Sequence, residues 1–262
     1  MNFEKILNAI TLFIADEVSK RNSKGVVLGL SGGLDSSVVA ELAVRAMGKK
    51  KVLGLILPDR NIAPNDTKDA KTFAQSLGIK YTTIDIGETK KEILRLLPKN
   101  KLAQSNITAR LRMCIIYYYA GLLHRLVLGT SDKSETKLGY FTKYGDGAAD
   151  LLPLGDLYKT EVRKLGEYLN IPSEILSKKS SPALWKGQTA EQEIGVPYGE
   201  IDVILRQIDN QSVTTVDKVP MTGKSVGNFD AINAKRVLEF VQKNKHKTEL
   251  PPICKIRCSL RN

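Results

Sequence analysis

The chain has 262 residues, 42% of them hydrophobic and 26% charged, which excludes a disordered or fibrous protein and supplies apolar material for a sizeable core. Forty Lys and Arg against 28 Asp and Glu leave a formal charge of +12, so anionic partners are favoured, whether nucleic acid, an anionic membrane or small polyphosphates. Three cysteines, Cys114, Cys254 and Cys258, contain no CxxC pair, which argues against a disulfide framework or a four-cysteine zinc site and fits a reducing, cytoplasmic setting. The longest apolar run, Cys114 to Leu123, is too short to span a bilayer, and Met1 to Arg21 interrupts its apolar rhythm with Glu4, Asp16 and Glu17, unlike a cleavable signal.

Phe3, Ile6, Leu7, Ile10, Phe13, Ile14 and Val18 recur at helical spacing, predicting an amphipathic helix over residues 2–21. Short apolar strands follow at Val26 to Leu30, Val52 to Leu57, Lys80 to Ile84 and Arg125 to Leu128. Helical periodicity fills the intervals at 35–47, 65–77, 88–97 and 105–123 and returns at 157–169, 199–208 and 228–244. Strands alternating with helices predict a single α/β domain over residues 1–262, a doubly wound parallel sheet with helices on both faces. Two stretches break the rhythm: Thr130 to Asp150, polar and glycine-bearing, reads as a long functional loop, and Ser177 to Thr189 as a second mobile segment. Met113 with Tyr117, Tyr118 and Tyr119 reads as core and interface.

The turn after the first strand, Leu30-Ser31-Gly32-Gly33-Leu34-Asp35-Ser36-Ser37, lies where a parallel sheet places its ligand. Adjacent glycines let backbone N–H groups approach an anion, and the helix start adds partial positive charge, so the segment reads as a phosphate cradle. GxxxxGK[ST] and GxGxxG are both absent, so it is neither the mononucleotide P-loop nor the dinucleotide fingerprint. An aspartate at the rim of an anion site needs a cation between, which makes Asp35 a candidate Mg²⁺ ligand. This SGGxDS turn resembles that of the PP-loop, or N-type, ATP pyrophosphatases, which split ATP between its α and β phosphates.

Gly129-Thr130-Ser131-Asp132-Lys133-Ser134-Glu135, running on through Gly139 to Asp150, leaves a strand directly into the same site, and Glu135 could complete the Mg²⁺ shell with Asp35. That run resembles the signature of the NAD synthetases. Four further segments are similar to that family: Asn106 to Met113 (NxxARxRM), Asp156 to Glu161, Leu184 to Gln188 (LWxGQ), and His246-Lys247 before Pro251-Pro252. The family often has Pro-Ser-Ala-Gly before Leu-Trp where this chain has Ser180-Ser181-Pro182-Ala183, and Lys178-Lys179 read as loop charges.

The resemblance implies ATP contacts from Gly29, Leu30, Ser31, Gly32, Gly33, Leu34, Asp35, Ser36, Thr130, Lys159 and Ser181. It implies deamido-NAD contacts from Arg110, Lys143, Asp150, His246 and Lys247. Asp35 and Glu135 would hold Mg²⁺. Asp35, Lys159 and Asp150 would carry the chemistry, with Asp150 the candidate base for ammonium. The implied activity adenylylates the nicotinate carboxylate of deamido-NAD with ATP and amidates it with ammonia, in a homodimer with no nucleic-acid or membrane partner. Ammonia rather than glutamine is expected because only one helix and one strand precede Ser31, the resemblance runs almost to the end, and no cysteine is placed as an activated thiolate. The tail from Lys255, with Cys258, resembles nothing named.

Overall fold

In the computed structural model, which describes residues 1–59, 64–209 and 230–254, four strands run parallel: β1 (Val26–Gly29), β2 (Val52–Ile56), β3 (Lys80–Thr83) and β4 (Leu126–Leu128), in the order β3-β2-β1-β4. Val26 faces Val52 on one side and Leu126 on the other. Leu151 adds a parallel bridge to Leu128 at the outer edge. The chain thus winds outward from β1 through β2 to β3, then returns to lay β4 on the opposite side. The point of reversal, between β1 and β4, is where the loops at the carboxyl ends diverge and leave a crevice.

Alternation along the strands divides the core. Val26 and Leu28 of β1 and Val52 and Ile56 of β2 face α1 (Phe3–Lys20), α2 (Leu34–Met47), α3 (Pro64–Leu77) and α7 (Lys159–Tyr168), through Ile14, Val38, Leu42, Phe73, Val162 and Leu165. Val27, Leu53, Leu55 and Val127 face the other way, against Ala120, Ile115 and Ile116 of α5 (Lys101–Leu123) and Ile86, which precedes α4 (Gly87–Arg95). Both faces are covered around β1, β2 and β4, which is why those strands read as almost continuous apolar runs; β3, at the sheet edge, is Lys-Tyr-Thr-Thr and partly exposed.

Beyond the β4 edge, α6 (Lys133–Leu138), α9 (Ala190–Ile194), α10 (Tyr198–Asp209) and α11 (Ala231–Asn244) build a separate apolar cluster around Leu138, Ile194, Ile201, Leu205, Val237 and Leu238. α7 belongs to both bodies, giving Tyr158 at its start to this cluster and Val162 and Leu165 to the sheet. The short α8 (Ser173–Leu176) follows it.

The expected long loop at 130–150 is corrected by α6. Its six residues are too few for a periodic signal, but Asp132 and Glu135 form a capping box: Glu135 N–H donates to Asp132 Oδ1 at 2.8 Å, and Asp132 N–H reaches Glu135 Oε2 at 3.4 Å. Cys114 and Tyr118 are exposed, so that part of the aromatic row is not core. Cys258 and the tail from Lys255 lie outside the described residues.

Gly166 interrupts α7 although glycine costs about 1 kcal/mol in a helix interior. A Cβ there would lie 2.8 Å from Leu34 Cδ1 and 3.1 Å from Leu176 Cδ2, so its absence sets how closely α7 approaches α2. Gly166→Val should lower stability by about 1–3 kcal/mol, read as a lower urea midpoint at unchanged denaturant slope.

Candidate active site

The first wall of the crevice is the β1–α2 turn. Leu30 N–H still pairs with Leu55 O at 2.8 Å, and the chain then turns through Gly32, whose φ of 80° is left-handed backbone. A Cβ on Gly32 would stand 2.2 Å from Asp66 O, because the start of α3 packs directly behind the loop. The serines fold the turn onto itself: Ser31 Oγ and Ser36 Oγ are 3.0 Å apart, Gly33 N–H donates to Ser31 Oγ at 3.2 Å, and the Ser36 and Ser37 hydroxyls donate to Gly33 O at 3.1 and 2.9 Å. No side chain caps α2 at Gly33. Its first N–H groups therefore face the crevice with the positive end of the helix, as an anion site requires.

The second wall is the β4–α6 turn and the third is the start of α7. Lys159, only 4% exposed, sends its ammonium between them. Nζ lies 2.8 Å from Asp35 Oδ2, 2.8 Å from Glu135 Oε1 and 2.9 Å from Asp132 Oδ2. A basic residue at a helix start is out of place without an anion beside it, and Lys159 finds three in the protein itself. Asp132 is fully buried and is a site residue that the sequence reading passed over; the signal available was D-x-x-E at 132–135.

One ammonium among three carboxylates leaves an excess of negative charge out of water. Burial raises the pKa of Glu135; Lys159 opposes this, and the neighbouring Asp132 and Asp35 add to the rise. Asp132 is raised in the same way, burial first, then resisted by Lys159 and reinforced by Asp35. Burial disfavours the Lys159 ammonium, but Asp132, Asp35 and Glu135 outweigh it, and its pKa stands well above the ordinary lysine value. Asp35 Oδ1 is buried with no hydrogen-bond partner. An orphaned carboxylate oxygen beside excess negative charge suits a hard divalent cation held by a few carboxylates together with phosphate oxygens. Among the described residues, no three His, Cys, Asp or Glu side chains are arranged as a ready-made metal cage.

The segment after α8 closes one end. Lys178 Nζ donates to Gly32 O at 2.8 Å and pairs with Asp66 Oδ1 at 2.7 Å and Asp69 Oδ2 at 2.6 Å. It is therefore not a loop charge but a tether from residues 177–189 to the cradle and α3. Farther along, Leu184 N–H donates to Gln188 Oε1, and Gln188 Nε2 to Glu193 Oε2, both at 2.9 Å. Ser181 is exposed, its Oγ accepting from Ala183 N–H at 3.0 Å. Between this segment and α7 lies a pocket of about 190 Å³ lined by Lys159, Arg163, Lys178, Lys179 and Tyr198 among others. The Tyr198 hydroxyl is buried without a partner.

A second group gathers around residues 139–146. Arg110 of α5 donates to Lys143 O at 3.3 Å, Lys143 Nζ to His246 O at 2.6 Å, and Lys247 Nζ to Gly139 O and Phe141 O at 2.8 and 3.1 Å. Four residues drawn from three distant parts of the chain thus converge on one turn. Thr130 lies two residues beyond β4. Asp150 is held at the β4 edge, accepting from Val127 N–H at 2.7 Å and from the Tyr117 hydroxyl at 3.4 Å.

An uncapped helix behind a glycine turn, at the switch point of a parallel sheet and faced by a lysine and carboxylates, is the equipment of the nucleotide-binding α/β class. Residues 6–251 match the family model for NAD synthase, and the chain belongs to that family. It is 44% identical over 263 residues to the NH₃-dependent NAD⁺ synthetase of Archaeoglobus fulgidus, covering 98% of this chain and 99% of that protein. It is 44% identical over 256 residues to the one from Methanocaldococcus jannaschii, covering 96% of each. Among solved structures, NMN synthetase from Francisella tularensis superposes with a TM-score of 0.85 at 35% identity, covering 98% of this chain and 100% of that one. NH₃-dependent NAD synthetase from Campylobacter jejuni, solved with a nitrate ion, superposes at 0.81 and 31%, covering 97% and 100%.

The raised carboxylate pKa values have a consequence for stability. Above the ordinary carboxylate range, near pH 4, the folded protein binds more protons at Asp132 and Glu135 than the unfolded chain does, so stability falls as pH rises through the raised values. The urea midpoint in metal-free buffer should therefore decline from about pH 5 toward about pH 8. Asp35→Asn, which removes one of the like charges raising both groups, should flatten that decline.

Proposed function

We propose that the chain makes NAD from deamido-NAD, ATP and ammonia, releasing AMP and pyrophosphate, as a single synthetase domain. The observation that carries this reading is the meeting of Lys159 with Asp35 of the SGGLDS turn and Glu135 of the β4–α6 turn. It supports a polyphosphate site in a chain whose curated relatives are named for ammonia-dependent NAD synthesis.

A carboxylate is a poor electrophile because its leaving group would be oxide. An oxygen of the nicotinate carboxylate first attacks the α-phosphorus of ATP, the bond from that phosphorus to the bridging oxygen breaks, and pyrophosphate leaves. The turn from Gly29 to Ser36 holds the departing phosphates with backbone N–H groups and serine hydroxyls, and Lys159 turns its ammonium toward the growing charge. Thr130 and Ser181 border the nucleotide. Asp35 and Glu135, with Asp132 beside them, would hold Mg²⁺, which when bound supplies charge neutralisation to the phosphates. Arg110, Lys143, His246 and Lys247 bind the deamido-NAD. Ammonia then attacks the acyl carbon, the carbon–oxygen bond to AMP breaks, and the surplus proton leaves the nitrogen; Asp150 is the carboxylate assigned to that proton. Residues 177–189, tied down through Lys178, keep water from the adenylate. Three cysteines without a pairing pattern support a cytoplasmic location.

Purified protein with deamido-NAD, Mg-ATP and ammonium chloride should form NAD, faster as pH rises and free ammonia increases, while ammonia-free glutamine gives background. The NMN synthetase likeness favours a second reading, in which the carboxylate amidated belongs to nicotinate mononucleotide. Comparing kcat/KM for the two acids decides between them, and the larger value is expected for deamido-NAD. Asp35→Asn and Glu135→Gln should each reduce turnover by a factor on the order of 10² or more with far-UV circular dichroism unchanged. Near-wild-type rates in both would remove these carboxylates from the reaction.

Cys114, Tyr118 and Leu122 stand four residues apart on one face of α5, with Tyr118 67% and Leu122 58% exposed. This face supports a homodimer. Light scattering should give twice the chain mass for the wild type and a lower mass for Tyr118→Asp/Leu122→Asp.

A further inference from the structure

Asp202 lies in the middle of α10 and is only 2% exposed, a costly place for a carboxylate. Its two oxygens serve different elements. Oδ2 accepts the Thr160 N–H at 2.8 Å, and Oδ1 accepts the Ser134 hydroxyl at 2.5 Å. Ser134 Oγ in turn accepts the Lys159 N–H at 2.9 Å. The first two N–H groups of α7 are thus satisfied by a residue more than forty positions later in the chain, one directly and one through a hydroxyl from α6.

The first turn of α7 has one carboxylate of its own, Glu161, but its Oε2 accepts the Tyr158 N–H at 2.8 Å, and the Lys159 and Thr160 N–H groups are satisfied from outside the helix. A lysine in its first turn sets a positive charge against the positive end of the helix, and its ammonium is drawn away into the crevice. A buried carboxylate behind the first turn reverses that local balance and satisfies N–H groups that have no partner within the helix. Ser134 stands between Asp132 and Glu135 in sequence, so the same carboxylate fixes α6 and α7 to one point. The gap spanned by Lys159 is the gap between those two elements.

We infer that Asp202, acting through Ser134 and the Lys159 and Thr160 N–H groups, is a positioning residue that sets where the Lys159 ammonium stands relative to Asp35, Asp132 and Glu135. This rests on the reading of Lys159 as the group that assists pyrophosphate departure. Asp202 touches no substrate in that reading and supplies no proton. It removes the freedom of α7 to rotate or fray at its first turn, a looseness that would act on the chemical step.

The test uses deamido-NAD-dependent pyrophosphate release by the full chain. Wild-type release is the first result required, and its absence would overturn the functional reading rather than this inference. Asp202→Ala should lower kcat at least tenfold with KM for deamido-NAD within twofold, because the group around residues 139–146 is untouched. Asp202→Asn, which keeps one acceptor, should fall between wild type and alanine. Ser134→Ala should also lower kcat, and adding it to Asp202→Ala should cost little more, since both break one relay. The control is Ile204→Ala, which empties the apolar cluster from the same helix without touching either acceptor. It should lower the urea midpoint while keeping kcat within twofold. If Asp202→Ala does not fold, Asp202→Asn and Ser134→Ala carry the test. Unchanged kcat in these variants while folded, or an equal loss in Ile204→Ala, would overturn the inference.

Discussion

One ammonium holds the site together. Asp35, Asp132 and Glu135 arrive from two different turns, and without Lys159 among them they would repel one another in a region largely closed to water. The lysine comes from a third element, α7, so the same contact fixes the turn after β1, the turn after β4 and the helical cluster beyond the sheet edge. The compensation is incomplete, one ammonium for three carboxylates, and two of these keep their protons above the ordinary carboxylate range. That arrangement suits an added cation in a place that also offers an uncapped helix to an anion. A site short of positive charge beside one short of negative charge matches a metal–polyphosphate pair better than either partner alone.

The sheet supplies the address and the helices supply the shape. Reversal of winding at β1 opens the crevice, Gly32 lets the turn lie flat against α3, and Gly166 lets α7 come close enough to α2 for its lysine to reach across. Lys178 links the covering segment to the back of the same turn. Motion of that segment and the state of the cradle are therefore coupled through a carbonyl and two carboxylates, none of which belongs to the segment itself.

Much of this was legible in the residues. Short runs between periodic helices placed all four strands and the long helices to within a few residues; for β1, β2 and β4 the reason is that a sheet covered on both faces writes an apolar pattern locally, whereas β3, Lys-Tyr-Thr-Thr at the edge, shows as a short break between two helices. SGGLDS at a strand end singled out Asp35 and the family resemblance singled out Lys159, and the two side chains meet in the fold. What could not be read was pairing across distance. α6 is one and a half turns long and shows only as a capping pattern, so Asp132 passed as a loop residue. Lys178 passed as a loop charge because its partners lie more than one hundred positions away. Asp202 sits in an ordinary amphipathic helix, where nothing local marks a carboxylate turned inward. The separate cluster around α10 and α11 has the same helical periodicity as the rest, which says that a face is buried but not against what.

The register of the central strands has a consequence for biosynthesis. Val26 pairs with Leu126, and the Thr160 N–H at the start of α7 finds its acceptor in Asp202, so elements made early wait for partners made much later. Pairings of such separation are entropically late steps in folding. A nascent chain that has emerged only as far as β3 already carries the glycine turn after β1, but with neither Lys159 nor the carboxylates of the β4–α6 turn. The meeting of Lys159 with its three carboxylates is thus withheld during synthesis by topology alone, until the last of the crossing partners has left the ribosome.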